Sequence, residues 1–222
     1  MTKPAIIFDL DGTLVDTAPD LINTLNHILA QENHPPAPEP LMRTMISEGA
    51  RAMLVKGFEL AGERLNEQQF DILTERFIAH YADNIVYSSR PFEGVIKALD
   101  RLASNDHAMA ICTNKTEFLA KKLISSLAME DYFAAIVGAD TLEVKKPHPG
   151  HIWGTIEALG GSRERAIMVG DSENDIISAQ AANIPVIAVD FGYSIEPVAN
   201  FNPDAILSNY DDFPTILASF FP

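Results

Sequence analysis

Between Asp16 and about Tyr87 no segment of this chain reads as a strand, whereas from Phe92 onward short apolar strands alternate with helices. One further apolar run, Ala5-Ile6-Ile7, precedes the strandless block. Short apolar strands alternating with helices imply a parallel sheet covered on both faces. The block is then an insertion after the first strand of that sheet. Its helical patterns cover Ala18 to Glu32, where Leu21, Leu25, Ile28 and Leu29 recur at helical spacing, then Leu41 to Ile46, Ala50 to Ala61 and Glu67 to Ala82. The expected division is an α/β core of 1–16 and 88–222, interrupted by an all-helical cap of 17–87. Hinges are expected near Asp16–Ala18 and Tyr87–Pro91.

The chain's 222 residues suffice for one sizeable domain with a smaller one appended. Its 31 acidic and 16 basic residues leave a net charge of −15, so nucleic-acid phosphate and anionic membranes are not expected partners. Any anionic substrate therefore needs a local cation or directed backbone N–H groups. The one cysteine, Cys112, rules out an intrachain disulfide and reads as a small core residue of a buried strand. Met1-Thr2-Lys3-Pro4 leads straight into the first strand, with no room for a signal peptide, and no apolar run approaches the ~18 residues of a membrane span. A cytoplasmic protein is expected, monomeric or homodimeric.

In open parallel sheets ligands bind beyond the carboxyl ends of the strands. Strands are expected at Ala108–Cys112, Ala135–Val137, Ala166–Val169, Pro185–Val189 and Ala205–Leu207. The helices between them read as Val95–Ala103, Thr116–Leu127, His151–Leu159 and Glu173–Ala182. Polar residues gather at four of the strand ends: Asp9-Leu10-Asp11-Gly12, Thr113-Asn114-Lys115, Lys145-Lys146-Pro147, and Gly170-Asp171-Ser172-Glu173-Asn174-Asp175. Four clusters on one sheet edge imply one site. Asp9 and Asp11 would point the same way from an extended segment, and two like charges at close range need a cation, a proton or hydrogen-bond donors to offset them.

These motifs resemble, in order and over nearly the whole chain, those of the haloacid dehalogenase superfamily, specifically its capped phosphatases. The fold this implies is a Rossmann-like parallel sheet with an inserted helical cap. The resemblance casts Asp9 as a nucleophile forming an aspartyl-phosphate and Asp11 as the acid–base partner. Thr113 and the backbone of Asn114 would bind the transferring phosphoryl group, Lys146 would neutralise its charge, and Gly12 would let the backbone approach it. Mg2+ is the implied metal, held by Asp9, the backbone carbonyl of Asp11 and Asp171, with Asp175 in support. Simpler readings stand beside these. Thr113 serves equally as an N-cap for the following helix, Asp175 as the start of the helix at Ile176, and His148 and His151 as neighbours of the Lys146 loop.

Dehalogenases of the superfamily lack an acid matching Asp11, and phosphonate-cleaving members replace it with a small residue. Asp11 thus implies a phosphate ester, and a helical cap implies a small phosphorylated metabolite. The run Ser47-Glu48-Gly49-Ala50-Arg51 is similar to the Gly-Ala cap loop of the superfamily's phosphoglycolate phosphatases. Glu48, Gly49, Ala50 and Arg51 are the substrate contacts it implies; an exposed helix arginine and a helix-capping Glu48 are the plain alternatives. The implied reaction is hydrolysis of 2-phosphoglycolate. The competing activities are a phosphosugar mutase of the β-phosphoglucomutase kind and a broad sugar phosphatase or pyrophosphatase. A phosphoryl-accepting signalling domain would carry its acceptor mid-chain and no helical insertion, so position 9 argues against it.

Overall fold

A computed structural model describes residues 4–221; the expected path of Met1–Lys3 into the first strand lies outside them. Within it, six parallel strands form one sheet: β1 (Ala5–Phe8), β2 (Ala108–Cys112), β3 (Ala135–Val137), β4 (Ala166–Gly170), β5 (Val186–Val189) and β6 (Ala205–Leu207). Their spatial order is β3-β2-β1-β4-β5-β6, that of the doubly wound dinucleotide-binding fold. The chain order reverses at β1, so the crevice beyond the carboxyl ends of β1 and its neighbours is where a ligand site is expected.

The strands read as continuous apolar runs because both faces are covered. Alternate residues of β1 go to opposite sides. Ala5 and Ile7 join a cluster with Ile152, Ile156, Met168, Ile176 and Val186, beneath helices Pro149–Ala158 and Glu173–Ala182. Phe8 faces the other way, its ring 6.5 Å from Phe133 edge-on and 5.9 Å from Phe213. Phe213 opens a helix, Phe213–Phe220, absent from the sequence reading; its short pattern follows a run of turn-forming residues and gives little periodicity to detect. Fully burying side chains of this size contributes roughly 1.5–3 kcal/mol each.

The chain divides into two compact units, Met1–Asp16 with Pro91–Pro222, and Thr17–Arg90. Two-residue strands, Val15–Asp16 and Arg90–Pro91, flank the insertion. The second unit contains helices Ala18–Gln31, Glu39–Arg43, Ala50–Leu60 and Glu67–Asp83. The last begins with a capping box in which Asn66 and Gln69 bond each other's backbone N–H. Buried Asp20, near the start of this unit, accepts bonds from the backbone N–H of Ser88 (2.9 Å) and from the N–H (2.8 Å) and hydroxyl (2.7 Å) of Ser89 near its end. One carboxylate thereby ties the two ends of the insertion together.

Candidate active site

Register explains why residues distant in sequence meet. Phe8 is level with Ile111 of β2 and Val169 of β4, and the Asp9 N–H donates to the Val169 carbonyl at 2.8 Å. The residues just beyond the strand ends, Asp9, Thr113 and Asp171, therefore leave the sheet side by side. β1 stops at Phe8, so the extended geometry expected to carry both aspartates ends before them. Asp9 turns toward Asp171 and Asp175: one oxygen from each of the three lies within 4.8 Å of the others. The Asp11 carboxylate lies outside that trio and meets Lys115 instead, at 2.8 and 2.9 Å. The crowding is thus between Asp9 and the distant Asp171 and Asp175, while Asp11 is offset by a lysine.

Each buried carboxylate is held by named donors. Asp171 accepts from the Thr13 hydroxyl at 2.9 Å and the Tyr193 backbone N–H at 2.8 Å. Asp175 accepts from Lys146 at 2.5 Å through one oxygen, and from the Ser172 N–H (3.0 Å) and hydroxyl (2.6 Å) through the other. Ser172 and Asp175 form the capping box of helix Glu173–Ala182, so the helix starts two residues before Asp175 rather than after it. The residue both opens the helix and anchors Lys146, and the two readings of it coincide. Lys146 Nζ also lies 2.9 Å from Asp9 Oδ1, an ion-pair contact to an oxygen that has no other partner among the described residues.

The electrostatics follow from burial. Removal from water, with Asp175 and Asp11 adding to it, pushes the Asp9 carboxyl up to about 6 despite the opposing Lys146. Burial and the neighbouring Asp175 and Asp9 raise Asp171 well above the ordinary carboxylate range. For Lys146 burial acts against the charge, yet Asp175 and Asp9 outweigh it and raise the group, which stays an ammonium. Three buried acids share one lysine, too little positive charge to keep all of them ionised. An oxygen-rich donor set with an unsatisfied Asp9 Oδ1 fits a hard divalent cation, and no Cys or His is among its members.

The loops that position these groups are built closely. Gly12 has φ +85°, and a Cβ there would sit 2.4 Å from Asp171 Oδ2; the close approach this glycine permits is to Asp171. Lys146 is fixed at its backbone: its N–H donates to His151 Nδ1 (3.2 Å) and its carbonyl accepts from the Asn114 side chain (3.0 Å). Accepting at Nδ1 assigns the His151 proton to Nε2, which donates to the Gly138 carbonyl at 3.1 Å. Burial and the nearby Lys146 push His151 down to about 4, so it remains neutral. His148 instead caps the helix, accepting from the Gly150 N–H.

The structure brings Asp9, Thr113, Asn114, Lys146, Asp171 and Asp175 to one edge, with Asp11 and Gly12 in the loop after β1. Thr113 does not cap the next helix: its hydroxyl accepts from the Lys115 N–H at 3.2 Å, and Asp140 bonds the Glu117 N–H at that helix start. Lys145 is exposed. Glu48, Gly49, Ala50 and Arg51 belong to the helical unit. Glu48 ends a short turn, and Gly49, at φ +89°, is the N-cap of Ala50–Leu60, so Glu48 is not the cap. Arg51 pairs with Glu67 at 2.9 Å and lies 4.0 Å over the Phe70 ring.

Sequence reasoning gave no role to Lys115, Thr13, Ser172 or Tyr193. Tyr193 was detectable in principle, because the Asp190–Tyr193 loop follows β5 and so falls on the same carboxyl edge. Among the described residues no helix is long and apolar enough to cross a membrane.

Comparison with known proteins agrees with this geometry. Residues 6–189 match the family model of haloacid dehalogenase-like hydrolases. The chain is 44% identical over 218 residues to a phosphoglycolate phosphatase of Mesorhizobium japonicum, spanning 98% of this chain and 96% of that one. A phosphoglycolate phosphatase of Agrobacterium fabrum is 44% identical over 219 residues, spanning 99% and 93%. The crystal structure of a predicted phosphoglycolate phosphatase from Haemophilus somnus superposes with a TM-score of 0.91 at 30% identity, covering 98% of this chain and 99% of that one. By sequence, by sheet order and by the acidic edge of β1 and β4, the chain belongs to the haloacid dehalogenase-like hydrolase family.

Proposed function

We propose that this protein is a Mg2+-dependent phosphatase acting on a small phosphomonoester, 2-phosphoglycolate above all, through an aspartyl-phosphate on Asp9. The observation that carries the reading is the Asp9–Lys146–Asp175 chain, 2.9 and 2.5 Å long, beside buried Asp171. A buried ammonium held between two carboxylates is placed to meet charge on phosphoryl oxygens without reorganising. The names carried by the 44%-identical relatives support phosphoglycolate as the substrate.

In the first step an Asp9 oxygen forms a bond to phosphorus as the ester P–O bond breaks, and Asp11 gives its proton to the departing alkoxide. In the second, water attacks the phosphorus and yields a proton to Asp11 as the Asp9–phosphorus bond breaks. The proton lost by Asp11 in the first step is regained in the second, so one residue serves as acid and then as base. Thr113 and the Asn114 backbone are proposed to hold the phosphoryl oxygens. Asp9, Asp171 and the Asp11 backbone carbonyl would hold Mg2+, which supplies charge neutralisation at the transferring group when bound, and Asp175 would support the site through Lys146. Glu48, Gly49, Ala50 and Arg51 are proposed substrate contacts. A cytoplasmic location remains part of the proposal.

The test is phosphate release from a panel of 2-phosphoglycolate, sugar phosphates, nucleotides and pyrophosphate, with Mg2+ and with EDTA. Preference for phosphoglycolate, lost in EDTA, is the expected outcome. Interconversion of a sugar phosphate with little phosphate released would replace the phosphatase with a mutase.

A further inference from the structure

Lys115 closes the polar cluster Thr113-Asn114-Lys115, yet the sequence assigns it no role there. Its side chain is 6% exposed and that of its partner Asp11 16%, with both carboxylate oxygens of Asp11 within 2.9 Å of Nζ. Burying an ammonium is costly unless a partner offsets it, so such a pair is not a casual surface contact. The lysine backbone is fixed as firmly as its head. Its N–H donates to the Thr113 hydroxyl at 3.2 Å, and its carbonyl accepts from the Ala139 N–H at 2.9 Å. At Gly138 a Cβ would come within 2.8 Å of that carbonyl and 2.3 Å of the Glu117 nitrogen, so the end of β3 closes on the Lys115 loop with no room for a side chain.

The two buried lysines divide the acids between them. Lys146 serves Asp9 and Asp175, and Lys115 serves Asp11. Asp11 follows the end of β1 in a turn, where a short carboxylate is free to rotate unless something fixes it. A two-oxygen contact to a single ammonium sets both the rotamer and the plane of the carboxylate, and Thr113 ties that ammonium's residue to the phosphoryl-binding loop. We infer that Lys115 is the positioning residue for Asp11, holding the acid–base carboxylate in line for proton transfer to and from the ester oxygen. This inference rests on the acid–base role proposed above for Asp11. Lys115 acts through Asp11 rather than on the substrate.

The experiment compares Lys115→Met, Lys115→Arg, Asp11→Asn and the Asp11→Asn/Lys115→Met double variant on two substrates. 2-Phosphoglycolate has a poor leaving group that needs an acid; p-nitrophenyl phosphate has a good one that does not. Lys115→Met is expected to lower kcat for phosphoglycolate by about 10–100-fold, a part of the 10²–10⁴ that general acid–base catalysis supplies. KM should stay within about threefold, and p-nitrophenyl phosphate turnover should fall far less. Lys115→Arg should restore most of the loss, and the double variant should be no slower than Asp11→Asn alone. Equal slowing of both esters by Lys115→Met, a change in KM alone, or multiplying losses in the double variant would overturn the inference. The arginine variant keeps the test decisive if the methionine variant does not fold. Selective damage from Asp11→Asn without any from Lys115→Met refutes only the positioning role. An Asp11→Asn variant that slows both esters equally refutes the acid role itself, and the inference with it.

Discussion

The acidic edge of the α/β unit and the Gly49–Arg51 helix start of the helical unit are built in opposite ways. At the edge, Asp171, Asp175 and Lys146 are at most 2% exposed, and each meets at least one partner far away in sequence. In the helical unit, the side chains of Arg51, in the first turn of Ala50–Leu60, and of its partner Glu67 are 59% and 83% exposed. The buried set is pre-organised, and each member depends on the others. The exposed set is adaptable, and its members contribute little to folding. Chemistry that is common to a family belongs in the first kind of region and substrate selection in the second.

The hardest test of that contrast removes the proposed nucleophile. Asp9→Asn should reduce phosphate release by roughly 10⁵–10⁶-fold, the scale on which loss of a nucleophile is felt in other covalent enzymes. Its melting temperature should not fall, since the substitution removes a carboxyl that burial already disfavours as an anion. Retained turnover would end the covalent mechanism. A second large effect is expected at Lys146. Lys146→Met leaves Asp9 and Asp175 buried without their shared cation and should cost about 3–5 kcal/mol in urea unfolding. Adding Asp175→Asn should recover part of that loss, because the charge left uncompensated is then removed. Additive losses would show that the two residues are not coupled.

How far the sequence could be read follows the same division. The six strands and the four polar strand ends were legible because each strand is a short apolar run, the central ones buried on both faces, and because parallel strands all present their carboxyl ends on one edge. Asp9, Asp171 and Lys146 come together on that rule alone. Their supporting groups were harder to see. Thr13, Ser172 and His151 act through hydrogen bonds whose partners are set by loop geometry, and Lys115 meets Asp11 from 104 residues away. The shared direction of Asp9 and Asp11 holds only for an extended segment, and β1 ends at Phe8, before both. The Glu48–Arg51 stretch was noticed only through its resemblance to relatives; an arginine on an exposed helix gives no sign in its own sequence of what it binds.

Divalent-metal binding sharpens the account of the buried edge. Burial raises the Asp9 carboxyl from 3.8 to about 6, so the metal-free fold holds it protonated below about pH 6. That contribution to stability is fully present below 3.8 and is lost as pH rises through about 6. Mg2+ requires the ionised carboxylates, so its stabilising effect should run the other way. At pH 7.5 and a hundredfold excess over Kd the gain should be about 2.7 kcal/mol, read as a rise in Tm, and it should shrink as pH falls to 5. Asp171→Asn should abolish the rise at every pH. An increment independent of pH would place the metal away from Asp9.

The smallest expected effect lies at the exposed helix start. An ion pair as open as Arg51–Glu67 is worth at most about 1 kcal/mol, and the Phe70 contact adds about 0.5–1 kcal/mol at an exposed site. Arg51→Ala should therefore shift urea unfolding by no more than about 1–2 kcal/mol. If Arg51 reads a substrate carboxylate, the same variant should raise KM for 2-phosphoglycolate severalfold and leave p-nitrophenyl phosphate, which has no carboxylate, unchanged. Glu67→Gln should then lower KM for phosphoglycolate, because it frees the guanidinium from a competing carboxylate. A variant that changes neither KM makes Arg51 a surface helix residue, and the selection of substrate must then be sought elsewhere than in Arg51.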